Sequence, residues 1–278
     1  NALTITGAAD IDGAFSGITN LSVSGTSNIG ANVTTTGTQT YVGAVTLSGG
    51  DRTLTGSTIN TQSTLAGGGN ALAIAGAADI DGAYTGITNL SVSGTSNIGA
   101  NVTTTGTQTY SGAVTVSAAS TLSTTNSNVT LGDSLSLAEN LSVNTGAGAG
   151  DILVAGAIDG AKALSLSAGT GAITLSGAVG QTTRLGTITL NSSGTTTLTQ
   201  AVKAAGLTTN SGGTLLINGG GVDTTGTQTY GDAITLGADA TLIGTTINTQ
   251  STLAGGGNAL TITGAVDIDG AYTGITNL

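Results

Sequence analysis

Long stretches of this chain occur more than once. Leu21–Tyr41, LSVSGTSNIGANVTTTGTQTY, is identical to Leu90–Tyr110. The twenty residues before it, NALTITGAADIDGAFSGITN (Asn1–Asn20), recur with small changes as Asn70–Asn89 and again as Asn258–Asn277. Copying on this scale belongs to stacked units that touch only their neighbours, so the structure lengthens without thickening. Residues 1–278 are therefore read as one continuous repeat region, with sequence repeats at 1–69, 70–257 and, partially, 258–278. The text starts and stops inside a repeat, so a fragment of a longer chain is expected.

Within the repeats the local unit is apolar–x–apolar–x–Gly. It reads LTITG at Leu3–Gly7, LSVSG at Leu21–Gly25, VTLSG at Val45–Gly49, LAIAG at Leu72–Gly76 and ITLSG at Ile173–Gly177. Alternation with period two marks a strand with one buried face. The closing glycine is expected to supply a positive φ or a tight corner. No helical period persists, so the fold class is all-β. Strands start near Leu141, Leu164, Ile188, Leu215 and Ile234. Such intervals, of about 19 to about 27 residues, suit the coils of a parallel β-helix, or β-solenoid. The offset from Asn1 to Asn70 then reads as three coils of ~23 residues each. The whole chain reads as roughly twelve coils, ~55–60 Å long at ~4.8 Å per coil. Leu3/Ile5, Leu21/Val23, Val45/Leu47, Leu72/Ile74, Leu164/Leu166 and Ile188/Leu190 are expected to point inward.

Composition removes several functions. Thirteen Asp and Glu139 face only Arg52, Lys162, Arg184 and Lys203, a net charge of −10, so the surface repels phosphate and no nucleic-acid partner is expected. No apolar run approaches a membrane span, so no membrane insertion is expected. Without cysteine there is neither a disulfide framework nor a thiol metal site. Without histidine a Ser–His–Asp triad cannot be assembled, and zinc lacks its usual ligands. Carboxylate-driven polysaccharide cleavage would have to use acids that repeat along the chain instead of meeting in one cleft. The chain is expected not to be an enzyme, with no catalytic residues and no cofactor.

The stretch Ala157–Leu242, together with TTGTQTY followed by an A-[VI]-T-[LV] strand after Thr35, Thr104 and Thr224, resembles repeats of very large bacterial exoproteins. These are the filamentous-haemagglutinin-like adhesins of two-partner secretion and related autotransporter passengers. The resemblance implies a right-handed parallel β-helix, extracellular or bacterial cell-surface localisation, and a structural rod or stalk in cell adhesion or a biofilm-matrix filament. Its partners would be neighbouring repeats, other copies joined end to end, and a host or neighbouring cell reached through domains outside this sequence.

Four features invite a ligand. The text DID-G places Asp10/Asp12, Asp79/Asp81 and Asp267/Asp269 in pairs one residue apart, on the same side of a strand, as candidate calcium ligands. The same pairs equally suit solvated turns with Ile11, Ile80 and Ile268 inward. All six aromatics fall at two repeat-equivalent positions, Phe15/Tyr84/Tyr272 and Tyr41/Tyr110/Tyr230. They read as corner residues with hydroxyls in water, or as a glycan platform. Thr-x-Thr text, as at Thr195/Thr197/Thr199, could order ice, although Ser22/Ser24, Ala73/Ala75 and Ser91/Ser93 break the row at repeat-equivalent positions. Asn-x-Ser/Thr text at Asn20, Asn32, Asn101, Asn128, Asn140 and Asn191 could accept sugar. Two readings stay open: a passive rod, or a β-helix face that binds calcium, glycan or ice.

Overall fold

A computed structural model describes all 278 residues. They form thirty-six short strands and no helix. Leu3–Ile5, Ala9–Ile11 and Phe15–Ile18 make the three sides of the first coil; Leu21–Val23, Ser27–Ile29 and Val33–Thr35 make those of the second. These sides are called A, B and C here. Leu3 pairs in register with Leu21 on side A, Ala9 with Ser27 on side B, and Phe15 with Val33 on side C, all parallel. The molecule is a three-sided parallel β-solenoid.

On side A the register runs Leu3, Leu21, Gln39, Ile59, Ala78, Ser96, Val114, Leu135, Ile158, Val179, Val202, Val222, Leu242, Ile262, which makes fourteen coils. At ~4.8 Å per coil the rod is roughly 60 Å long. The shortest coils match the step from Leu3 to Leu21, and none is longer than the step from Leu164 to Ile188. The count lies close to the expected twelve, and most coils are shorter than the sequence spacing suggested. The reason is local: a strand of three residues spans a side, and the few that follow turn the corner.

The alternating residues fill one core of 59 buried apolar side chains. Leu21/Val23, Val45/Leu47, Leu72/Ile74, Leu164/Leu166 and Ile188/Leu190 all lie inside it, as expected. Leu3 and Ile5 are half-buried because their coil is covered on one side only. Ile11 and Ile80 point inward, whereas Ile268, in the last coil, stays 48% exposed. Each full burial of such an aliphatic contributes roughly 1.5–3 kcal/mol, and most of the 176 backbone hydrogen bonds tie coil to coil.

The corners explain the glycines. A Cβ on Gly25 would sit 2.5 Å from the carbonyl carbon of Gly7, and one on Gly43 would sit 2.3 Å from the Gly25 oxygen. Close backbone approach, not a positive φ, demands glycine at these two positions. Other corners carry Asn or Asp just ahead of a strand, where Oδ1 accepts a backbone N–H one coil further on. Asn20 accepts from Thr38 (2.9 Å), Asn32 from Thr53 (2.9 Å), Asn101 from Thr121 (2.8 Å), Asn128 from Asp151 (2.9 Å) and Asn140 from Ala163 (2.9 Å). Asn89 likewise accepts from Thr107 (2.8 Å), so six of the seven asparagines in Asn-x-Ser/Thr text are corner acceptors.

The sequence repeat and the coil do not coincide. Leu3 stands on side A, but in its copy Leu72–Ile74 pairs with Arg52–Leu54 and Leu90–Val92, on side C. The third copy, Leu260–Ile262, pairs with Ala240–Leu242 and returns to side A. The offset from Asn1 to Asn70 therefore spans three coils and two further sides, not three whole coils. Gln-Thr-Tyr shows the same rotation. Gln39–Tyr41 pairs with Leu21–Val23 on side A, Gln108–Tyr110 with Leu90–Val92 on side C, and Gln228–Tyr230 with Leu207–Thr209 on side B. Identical text thus occupies every side of the rod.

Candidate functional site

The most elaborate polar arrangement lies inside the solenoid. Gln39 and Tyr41 are both inaccessible to solvent. Tyr41 Oη donates to Gln39 Oε1 at 2.8 Å, while Gln39 Nε2 donates to the carbonyls of Val33 (3.2 Å) and Thr55 (2.8 Å). Thr35 Oγ1 closes the group by donating to Gly37 O at 2.8 Å. The unit recurs on side C, where Tyr110 Oη reaches Gln108 Oε1 at 3.1 Å and Gln108 Nε2 reaches Val102 O (3.1 Å) and Ser123 O (2.8 Å). On side B Tyr230 Oη reaches Gln228 Oε1 at 2.7 Å, with Gln228 Nε2 on Val222 O (3.0 Å) and Ile243 O (2.7 Å). Each carboxamide joins two successive coils from within, and its hydrogens and oxygen all find partners, as buried polar groups require.

The aromatics are therefore neither corner residues nor a glycan platform. Tyr41, Tyr84, Tyr110 and Tyr230 are fully buried, and Phe15 and Tyr272 half-buried. Tyr84 Oη lies 2.9 Å from Thr61 Oγ1 and Tyr272 Oη 3.0 Å from Thr249 Oγ1. Burial pushes all five phenols above their ordinary pKa, assisted at Tyr41 and Tyr110 by the nearby Tyr84. Sequence reasoning missed the glutamines. The available signal was period two: Gln-x-Tyr occupies the same register as Leu-x-Val in the adjacent coil.

The DID carboxylates are divided between sides B (Asp10, Asp267) and A (Asp79). The first Asp of each pair stands in an outward ladder with asparagine. Asn28 Nδ2 donates to Asp10 Oδ1 at 2.7 Å, and Asn248 Nδ2 to Asp267 Oδ2 at 3.5 Å. Asp79 is clamped from both neighbouring coils, by Asn60 Nδ2 at 2.6 Å and Asn97 Nδ2 at 2.8 Å. Asp12 and Asp81 sit at the following corners, over Gly30 and Gly99; Asp269 occupies the matching position in the third copy. Partial burial and the Asp79 charge raise the Asp81 pKa. Nowhere do three or more acidic side chains converge, whereas calcium takes about six to eight oxygens.

Outward hydroxyls form rows that cross the repeat boundaries. On side B, Thr121, Ser142, Ser165, Thr189, Thr208 and Thr229 follow one another in register without interruption. Four of them floor a shallow groove of about 440 Å³, edged by Asn101, Asn140 and Thr187. On side C the row Thr109, Thr130, Leu153, Thr174, Thr197, Leu216, Thr235 is broken twice by leucine. Ser22 and Ala73 do not break a single row, because they lie on different sides, A and C. Two of the four basic residues are paired, Lys162 with Glu139 at 3.0 Å and Arg184 with Asp223 at 2.8 Å.

No protein-family model, curated protein or solved structure matches the chain.

Proposed function

We propose that this chain is the structural rod of a secreted or cell-surface bacterial adhesin or biofilm-matrix fibre, and that it performs no catalysis. The rotation of identical text among the three sides carries this reading. A repeat that served a ligand would return its binding residues to one face. Here each recurrence of Gln-Thr-Tyr keeps the interior unit intact and moves the outward residues to another side, and of the other text only the partial copy at 258–278 returns to the sides of the first. What the repeat preserves is the ability to stack. The scarcity of charge and the filamentous-haemagglutinin-like text agree with an extended, exported spacer whose contacts with other cells lie in other domains. End-to-end association of copies belongs to the same reading, since stacking is the one contact every coil makes. The uninterrupted hydroxyl row on side B favours one second reading, a shallow seat for a neutral glycan.

Titration of the purified chain with calcium and with a panel of neutral glycans separates the two. The rod reading expects no saturable binding, whereas saturation in the micromolar range that Ser142→Ala and Ser165→Ala abolish would establish the groove. Labelling of intact producing cells with an antibody to the chain tests surface exposure. Signal only after permeabilisation would refute it.

A further inference from the structure

The third Gln-Thr-Tyr unit differs from the others two residues after its tyrosine. The first copies read Tyr41-Val-Gly43 and Tyr110-Ser-Gly112, whereas the third reads Tyr230-Gly-Asp232. A Cβ at Gly43 or Gly112 would lie 2.3 or 2.6 Å from the carbonyl oxygen of the preceding coil, yet at the equivalent position after the third unit Asp232 is only 1% exposed. Its Oδ1 accepts the Gly213 N–H at 2.8 Å, and its own N–H donates to Thr209 Oγ1 at 3.2 Å. Its Oδ2 is sealed from solvent with no partner at all. A Cβ built on Gly213 would meet the Ser192 and Gly194 carbonyl oxygens at 2.4 and 2.7 Å and Asp232 Oδ1 at 3.1 Å, so the carboxyl shares a closely packed corner with backbone oxygens.

No cation faces it. The segments packed on this corner are Leu190–Gly194, Thr209–Thr214 and Thr249–Leu253, and none contains an ionisable side chain. The nearest on its own strand is Tyr230, whose hydroxyl is committed to Gln228. An ionised carboxylate buried without a counter-charge is costly, and the ordinary escape is to keep its proton.

We propose that Asp232 carries its proton in the closed rod and acts as a pH-operated latch. Ionisation loosens the corner formed by Thr209–Thr214 and Gly231–Ala233 while the remaining coils stay stacked. Burial raises the Asp232 pKa against weaker opposing pulls from the Gly213 N–H and the Thr209 hydroxyl, in line with this reading. Because the folded pKa lies above the unfolded one, the latch is fully closed below the unfolded carboxylate value of about 3.9. It weakens as pH rises through the folded value.

The test uses the full chain with Asp232→Asn and Asp232→Gly, the latter restoring the residue of the other two copies. Carboxyl 13C NMR, with the Asp232 signal identified by its loss in the variants, reads the proton directly. Hydrogen exchange at Gly213 and Ile234, corrected for intrinsic rates, reads the corner. The expected result is titration above the ordinary Asp range, with wild-type protection falling by up to about tenfold per pH unit, the limit for one proton. Protection in the variants should stay flat. Titration at or below the ordinary range, or the same pH dependence in wild type and in whichever variant folds, overturns the proposal.

Discussion

The buried Gln108–Tyr110 pair allows a quantitative test of how the rod is held from inside. Tyr110→Phe removes one hydrogen bond of 3.1 Å and leaves Gln108 Oε1 without that partner in a sealed core. An orphaned buried acceptor costs about 1–3 kcal/mol. Gln108→Leu keeps the volume but deprives Val102 O and Ser123 O of a donor and strands the Tyr110 hydroxyl, for about 2–4 kcal/mol on the same scale. The double variant removes both ends of the Tyr–Gln bond, so its cost should fall short of the sum by at least ~1 kcal/mol. A solenoid opens locally as well as globally, so hydrogen exchange along coils 90–155 is a better measure than a single melting point. Additivity within ~0.3–0.5 kcal/mol would refute the coupled unit. Because the pair recurs on sides A and B, the cycle at Gln39/Tyr41 and at Gln228/Tyr230 should give the same sign of coupling.

Three further outcomes are expected. Thr196 is fully buried with no partner for its hydroxyl, so Thr196→Val should stabilise the fold by ~1 kcal/mol in denaturant titration. Gly43→Ala would press a Cβ to 2.3 Å from the Gly25 oxygen, and should cost more than ~2 kcal/mol or open that corner to exchange. The buried tyrosines have folded pKa values above the ordinary 10.0. Their contribution to stability is present below about pH 10 and is lost as pH rises beyond it, so ultraviolet titration should show phenolate appearing together with loss of β-sheet signal. Phenolate at Tyr84, Tyr110 and Tyr230 near pH 10 in a still-folded rod would contradict their burial.

Much of the fold is legible in single residues. Leu21-x-Val23 and Leu164-x-Leu166 announce buried strands because period two has no other common cause. Coil length is harder to read, because the visible marker is the copy that begins at Asn70, and nothing in linear text shows that a copy can end two sides out of phase. Tyr41 and Gln39 are obscure for a different reason. A phenol and a carboxamide look solvent-seeking until each is seen to be the other's partner, and that depends on geometry. The same holds for Asn20 and Asn140, whose partners across the corner, Thr38 and Ala163, lie a full coil further along the chain.

The phase slip between copy and coil bears on how such a gene can change length. Unequal crossing-over between Asn1–Tyr41 and Asn70–Tyr110 would delete or add one copy at nearly identical text. The strand ladder would rejoin without a seam, since every side accepts the same sequence. Everything downstream, however, would turn by two-thirds of a revolution about the long axis. Exchange between Leu3 and Leu260 instead changes the length by thirteen whole coils, leaving the azimuth unchanged. Two classes of length variant are therefore available from one gene, one that turns the downstream coils about the long axis and one that only shifts them along it.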